Sequence, residues 1–210
     1  MIPGLASALG ASARYLEFFD SATSTASTIT APNNIAACDL IVLHDVGLHG
    51  SNPPASVVPT DFTSVVNTSD TGTNIRHIVS YKKAVGTEGG SSITGINTTT
   101  MRKSMAVFRM NTPITTVTAS TWNTHNDAAD PTLQSVVASA GAAPLIVFGC
   151  YSSSGAISPM TFTPSEDGEV TPNTSHFTKY KIYNASPQDT DVDMDDEGLN
   201  AMASGYLSCV

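Results

Sequence analysis

Leu40-Ile41-Val42-Leu43 and Leu145-Ile146-Val147-Phe148 are the two stretches that decide the fold of this chain. Both are continuous apolar runs, and neither leaves a polar side chain to face water. Runs this short are typical of strands in a sandwich core, buried on both faces. We therefore predict that both are central strands of an antiparallel β-sandwich.

Shorter runs rich in Val, Ile, Thr, Tyr and Phe surround these two stretches, separated by Gly, Pro, Asn, Asp and Ser. This alternation of runs and breaks is typical of a protein built from many short strands. The predicted strands are residues 15–19, 40–45, 62–66, 75–83, 101–110, 114–118, 133–138, 145–151, 176–184 and 206–210. Residues 122–140 are predicted as irregular chain followed by strand, and residues 196–204 as one or two helical turns. The fold class is all-β, with residues 15–210 forming one jelly-roll-like sandwich.

The chain contains a possible internal repeat. Phe62-Thr63 and Tyr81-Lys82 follow the first apolar run, and Phe162-Thr163 and Tyr180-Lys181 follow the second. Two Greek-key halves of one sandwich would produce this order. Chance in a Thr-rich β protein would also produce it, and both explanations stay open at this point.

The composition narrows the range of partners. The chain has 210 residues, of which only 13% are charged, and a net charge of −9. A phosphate backbone and an anionic membrane surface would both be repelled, so we expect no nucleic-acid partner. There is no apolar run of about 18 residues, so no membrane span is predicted. A Thr-rich surface with few charges favours contact with other proteins.

Residues 1–14 are predicted to be a docking arm. The segment carries Ile2, Leu5 and Leu9 and has no charge before Arg14. A signal peptide would need a positive n-region, which is missing here. Three large aliphatic side chains exposed to water would be a liability. We therefore expect the arm to lie against another chain or a neighbouring copy.

The three cysteines, Cys38, Cys150 and Cys209, are predicted to be free. Their number is odd, and no C-x-x-C pattern suggests a zinc or redox site. Cys38 and Cys150 each lie beside an apolar run, so we expect both to be buried and not bonded to each other.

An acidic run near the C-terminus offers a weak cation site. Asp191, Asp193 and Asp195 alternate along the chain, and in an extended strand they would share one face. Calcium or magnesium could bind there with help from a second segment, although the EF-hand pattern is not met. The alternative is a solvated acidic loop, and no other cofactor is predicted.

Two further motifs could carry chemistry. His44-Asp45 followed by His49 could bind metal or transfer protons, but no third ligand is recognisable by spacing. We expect them to cap a strand end or to contact a loop. Ser152-Ser153-Ser154-Gly155 lacks the Gly-x-Ser-x-Gly pattern of a nucleophile elbow and is predicted to be a turn. The chain is accordingly predicted not to be an enzyme.

Two aromatic residues could contact carbohydrate. Trp122, the only tryptophan, lies in a polar stretch, and Tyr151 follows the second apolar run. Ring faces stack on sugars, but Trp122 could equally fill the core from a loop, which is the interpretation we favour. A carbohydrate-binding or receptor-binding module that meets a host surface glycan is the alternative function.

The order of these motifs resembles that of many bacteriophage particle proteins. The resemblance rests on Asp39-Leu40-Ile41-Val42-Leu43, on Tyr81-Lys82 with the turn Gly86-Thr87-Glu88-Gly89-Gly90, and on Met105-Ala106-Val107-Phe108-Arg109. A Ser/Thr-rich strand at 25–30, a Pro-bearing loop at 53–62 and the closing residues 198–206 complete it.

The resemblance implies a jelly-roll-like module on the virion surface, as a head decoration protein, a head fibre or a tail component. It also implies assembly with other virion proteins and with further copies of this chain, commonly as a trimer. The family offers no catalytic residue to carry over.

Overall fold

The computed structural model describes residues 14–125, 134–136, 144–153, 160–193 and 200–210. Within these ranges the regular secondary structure consists of β-strands, and there is no helix long and apolar enough to cross a membrane. The strands are β1 (Leu16–Ser24), β2 (Thr28–Thr30), β3 (Leu40–Leu48), β4 (Thr63–Asp70), β5 (Ile75–Lys83), β6 (Ser92–Thr94), β7 (Thr100–Met110), β8 (Val117–Ala119), β9 (Asn123–His125), β10 (Gln134–Val136), β11 (Leu145–Ser153), β12 (Thr161–Thr163), β13 (Gly168–Asn173), β14 (His176–Tyr183), β15 (Thr190–Asp193) and β16 (Asn200–Cys209).

Two large antiparallel sheets form the body of the protein. The first has the strand order β1-β7-β3-β5-β4, and the second has the order β8-β16-β11-β14-β13, with β9 also paired to β16. The first apolar run lies in β3 between β5 and β7, and the second lies in β11 between β14 and β16. Both runs lie in central, buried strands, which confirms the prediction made from their sequence.

The sheets are stacked in four layers, with apolar clusters between neighbouring layers. The large sheets face each other across a cluster that includes Leu40, Val42, Phe108 and Phe148. On its other side the first sheet packs against the two-stranded sheet β2-β6. The second sheet packs in the same way against the three-stranded sheet β10-β15-β12. Apolar residues therefore lie on both faces of β3 and β11, as continuous apolar runs require.

The possible internal repeat in the sequence corresponds to a repeated strand order in the structure. The second sheet reproduces the order of the first, strand for strand, about a hundred residues later along the chain. The repeated residues also occupy like places. Tyr81 and Tyr180 both pack in the cluster between the large sheets, while Phe62 and Phe162 pack beneath the outer layers. The repeated order favours two related halves over chance.

Three of the predicted boundaries that were wrong bear on the candidate site. β3 continues to Leu48, so His44 and Asp45 lie inside a strand and not at its end. β11 continues to Ser153, so Ser152 and Ser153 belong to a strand and not to a turn. Asn200–Cys209 is strand β16, which replaces the C-terminal part of the predicted helical turns. In each case ladder pairing with two neighbouring strands outweighs the local polarity of the sequence.

One end of the sandwich gathers the segments nearest both chain termini. Leu40 is paired with Lys83 and Phe108, and Leu16 with Met110, while Leu145 is paired with Tyr183 and Ser208. Hydrogen bonds connect the two sheets at this end. Lys83 Nζ donates to the Thr115 carbonyl at 2.9 Å, the Leu16 N–H donates to Asn184 Oδ1 at 2.5 Å, and Asn184 Nδ2 donates to the Leu16 carbonyl at 2.9 Å. We call this the arm end, because residues 1–13 join the described chain there.

Candidate functional site

The two aromatic residues proposed for carbohydrate contact pack in the interior. Tyr151 is completely buried in the cluster beneath β10-β15-β12, so it offers no ring face to a sugar, and its expected role was wrong. Trp122 is half-buried and stacks on Phe148 with ring centroids 6.1 Å apart. Its indole also lies against Gly205, where an added Cβ would come within 2.5 Å of it. Trp122 fills the core from a loop, as favoured above.

The acidic run is only partly within the described residues. Asp191 and Asp193 lie on β15, half-buried on either side of the buried Val192, so they share one face as an extended strand requires. Asp195 lies outside the described residues. Across the part of the chain that the structure describes, no group of three or more His, Cys, Asp and Glu side chains is arranged to hold a metal ion. The calcium or magnesium site stays a prediction.

His44 and Asp45 point to opposite faces of β3 and do not form one site. Asp45 turns away from the second sheet and pairs with Lys103 on β7, with Nζ 2.7 Å from Oδ1. Burial raises the pKa of Asp45, although Lys103 and the Ile96 N–H both act to lower it. His49 lies beyond the strand and is exposed, and its Nδ1 accepts a hydrogen bond from the Ser51 N–H at 3.3 Å.

His44 instead belongs to a group of three buried histidines between the large sheets. His44 and His77 come from the first sheet, and His176 comes from the second; all three are completely buried. The His44 ring lies 4.1 Å from the His176 ring, stacked at 18°, and 4.8 Å from the His77 ring. The sequence shows part of this arrangement, since His77 alternates with Ile75 and Val79 on the buried face of β5.

Two hydroxyl groups bind the cluster from neighbouring strands. His44 Nδ1 lies 2.9 Å from Thr178 Oγ1, and His176 Nε2 lies 3.1 Å from Ser104 Oγ. The two hydroxyls are themselves 2.6 Å apart. The remaining ring nitrogens, His44 Nε2, His176 Nδ1 and both nitrogens of His77, are buried without a hydrogen-bond partner. Unpartnered buried polar groups are costly, so this is the least satisfied polar region of the described core.

Burial keeps the three rings neutral. Desolvation lowers the pKa of His77 from 6.5 to about 3. It also lowers the pKa of His44 and of His176 well below 6.5, and the neighbouring histidines lower both further. A positive charge on any of the three rings is disfavoured, because the rings are removed from solvent and a second charge nearby would repel the first.

The serine motif and the cysteines also have structural roles. The Arg102 guanidinium on β7 donates hydrogen bonds to Ser152 Oγ at 3.4 Å and to the Ser153 carbonyl, which joins the two sheets. Ser154 and Gly155 lie outside the described residues. All three cysteines are free, as predicted. Cys150 is buried, whereas Cys38 is only half-buried and has a φ of 71°, so its predicted full burial was wrong.

The motif residues Asp39, Lys82, Glu88 and Arg109 pair with one another near the arm end. The Arg109 guanidinium donates to both carboxylate oxygens of Asp39, at 2.8 and 2.6 Å. In the glycine-rich turn, Glu88 accepts hydrogen bonds from the N–H groups of Val85, Gly86 and Thr87 and forms an ion pair with Lys82 at 3.0 Å. The carboxylate of Glu88 therefore holds the turn in place.

Large exposed apolar side chains are also found near the arm end. Tyr15 is 54% exposed, Val85 66% and Val210 44%, and each lies within two residues of a strand terminus at this end. Phe18, two residues into β1, is 37% exposed. These four are the large apolar residues that the described chain leaves exposed. A shared location at one end marks this surface as a candidate contact site.

Comparison with protein-family models, with curated proteins and with solved structures finds no match to this chain.

Proposed function

We propose that this chain is a non-enzymatic structural protein of a bacteriophage particle, displayed on the virion surface and docked through its arm end. Its place is a head decoration, a head fibre or a tail component, and its fold is a jelly-roll-like sandwich. The observation that carries the proposal is the location of Tyr15, Val85 and Val210 at the end where residues 1–13 join the body.

The polar groups of the body support a structural role. The motif residues Asp39, Arg109, Lys82 and Glu88 are engaged in ion pairs that close loops. The low charge of the chain, 13%, leaves few strong polar anchors for a partner, so apolar contact is the main source of docking energy. Burying Ile2, Leu5 and Leu9 would contribute roughly 1.5–3 kcal/mol each before ordering costs.

The same end also offers a groove in which an apolar segment could lie. It has a volume of about 360 Å³. Tyr81, Val85 and Val117 form the apolar part of its lining, and the rest is polar: Asp61, Thr63, Lys82, Lys83 and Thr115. Thirteen extended residues reach roughly 40 Å, enough to cross to a neighbouring copy. The proposal therefore includes self-assembly, with arms contacting neighbouring copies or other virion proteins.

Particle incorporation tests the proposal. Full-length protein is compared with a variant lacking residues 1–13 and with Val85→Asp, each produced alongside the particle. His49→Asn, at an exposed position beyond the opposite end of β3, is the matched control. We expect all four proteins to fold, and the first two variants to be depleted from purified particles while His49→Asn is retained. Equal incorporation of the four would show that docking does not use the arm end.

A further inference from the structure

The three buried histidines form a polar region in the middle of an apolar sheet–sheet interface. Apolar clusters lie on both sides of it, with Val42 and Phe148 in one and Val46, Ile75 and Ala201 in the other. Bulk solvent does not reach the rings, since all three side chains have no exposed surface. A proton taken up by any one of them would place a charge between the two sheets.

We propose that the cluster of His44, His77 and His176 is an acid-sensitive latch between the two large sheets, closed while the rings are neutral and opened when they take up protons. The rings come from β3, β5 and β14, so they bridge the interface that holds the sandwich together. This inference does not depend on the proposed function.

The groups around the cluster give a positive charge little support. On β7, Ser104 offers a hydroxyl group to His176. Arg102 and Lys103, also on β7, are cations whose charge lowers the pKa of His176. From β14, Thr178 offers a hydroxyl and the main chain at Phe177 favours the protonated form of His44. On β11, the Cys150 side chain is hydrogen-bonded to Thr178, and Ser152 Oγ accepts a hydrogen bond from Arg102. The Asp45 carboxylate is on the other face of β3 and is held by Lys103.

The sign of the pH effect follows from the direction of the pKa shifts. The folded-state pKa of His77 is about 3, against 6.5 in the unfolded chain, so between these values the unfolded chain binds more protons. Stability is then fully present above pH 6.5 and is lost progressively as the pH falls toward 3. His44 and His176 are shifted in the same direction, and rings that are 4.1 and 4.8 Å apart would repel each other once charged.

Urea unfolding of the full chain at about pH 7.5 and about pH 4.5 tests the latch. Emission from Trp122 reports on the interface, because its indole packs on Phe148 and Gly205. His77 alone should lower the folding equilibrium constant about 100-fold over this interval. We expect His77→Met to remove most of that contribution and exposed His49→Asn to remove none. A wild-type stability that is flat over the interval, or a His77→Met variant with the full pH dependence, would overturn the proposal.

A second measurement keeps the test decisive if His77→Met does not fold. Imidazole resonances of the unmodified chain are followed during acid titration by NMR, with His49 as the solvent-exposed reference. We expect the three cluster signals to keep their neutral shifts until the native spectrum disappears. Cluster signals that move to their protonated shifts while the native spectrum persists would contradict the latch.

Discussion

Lys103 Nζ lies 2.7 Å from Asp45 Oδ1, and both side chains are almost completely buried. The two residues are paired across β3 and β7. The Ile96 N–H donates to the second Asp45 oxygen at 2.7 Å, and the Ile96 carbonyl accepts from Lys103 at 2.8 Å. The ion pair therefore holds the chain before β7 against the first large sheet.

Removing one partner of this pair should be more damaging than removing both. Lys103→Met leaves a buried carboxyl group without its cation, and we expect a loss of about 3–5 kcal/mol in the free energy of unfolding. The double variant Asp45→Leu, Lys103→Met removes that cost and should be clearly more stable than the single variant. Urea denaturation of the three proteins measures both effects. A double variant no more stable than Lys103→Met would show that the pair is not coupled in this way.

Gly205 should tolerate no side chain, because Trp122 lies across it. A Cβ at this position would come 2.5 Å from the indole, so Gly205→Ala must displace Trp122 or bend β16. We expect a loss of about 1–3 kcal/mol and a red-shifted tryptophan emission. Gly50→Ala is the matched control, since a Cβ there meets nothing within 4 Å. Unchanged emission and stability in Gly205→Ala would contradict the packing of Trp122 described above.

Glu88 should stabilise the glycine-rich turn through its charge. Burial acts to raise its pKa, but hydrogen bonds from the Val85 and Gly86 N–H groups and from Lys82 outweigh it and lower the pKa from 4.5 to about 2. The carboxylate therefore contributes stability above pH 4.5 that is lost as the pH falls toward 2.

Glu88→Gln removes this charge, and we expect a loss of about 1–3 kcal/mol at neutral pH. The variant should also lose part of the acid dependence below pH 4.5. Thermal unfolding at several pH values measures both, with the exposed Glu17→Gln as the control. Equal stability of Glu88→Gln and wild type at neutral pH would mean that the turn does not need the carboxylate.

The sequence predicted the sheets better than the site. The apolar runs in β3 and β11 fix which strands are central, because burial on both faces leaves no choice of position. The predicted strands ended too early near His44, Asp45 and Ser152 because these residues are polar. Each of them is hydrogen-bonded to a partner from a strand distant in sequence, which the local sequence does not show. The histidine cluster was missed for the same reason, since His176 is about a hundred residues away from His77. Only the buried-face position of His77 in β5 indicated it.

The presence of this chain in purified particles tests the central claim most directly. Quantitative mass spectrometry of particles gives its copy number relative to a shell protein, and antibody binding to intact particles shows whether it lies outside. The account predicts a fixed copy number per particle and full antibody access to the end of the body opposite the arm end. Absence of the chain from purified particles, or a copy number that varies with washing, would contradict it.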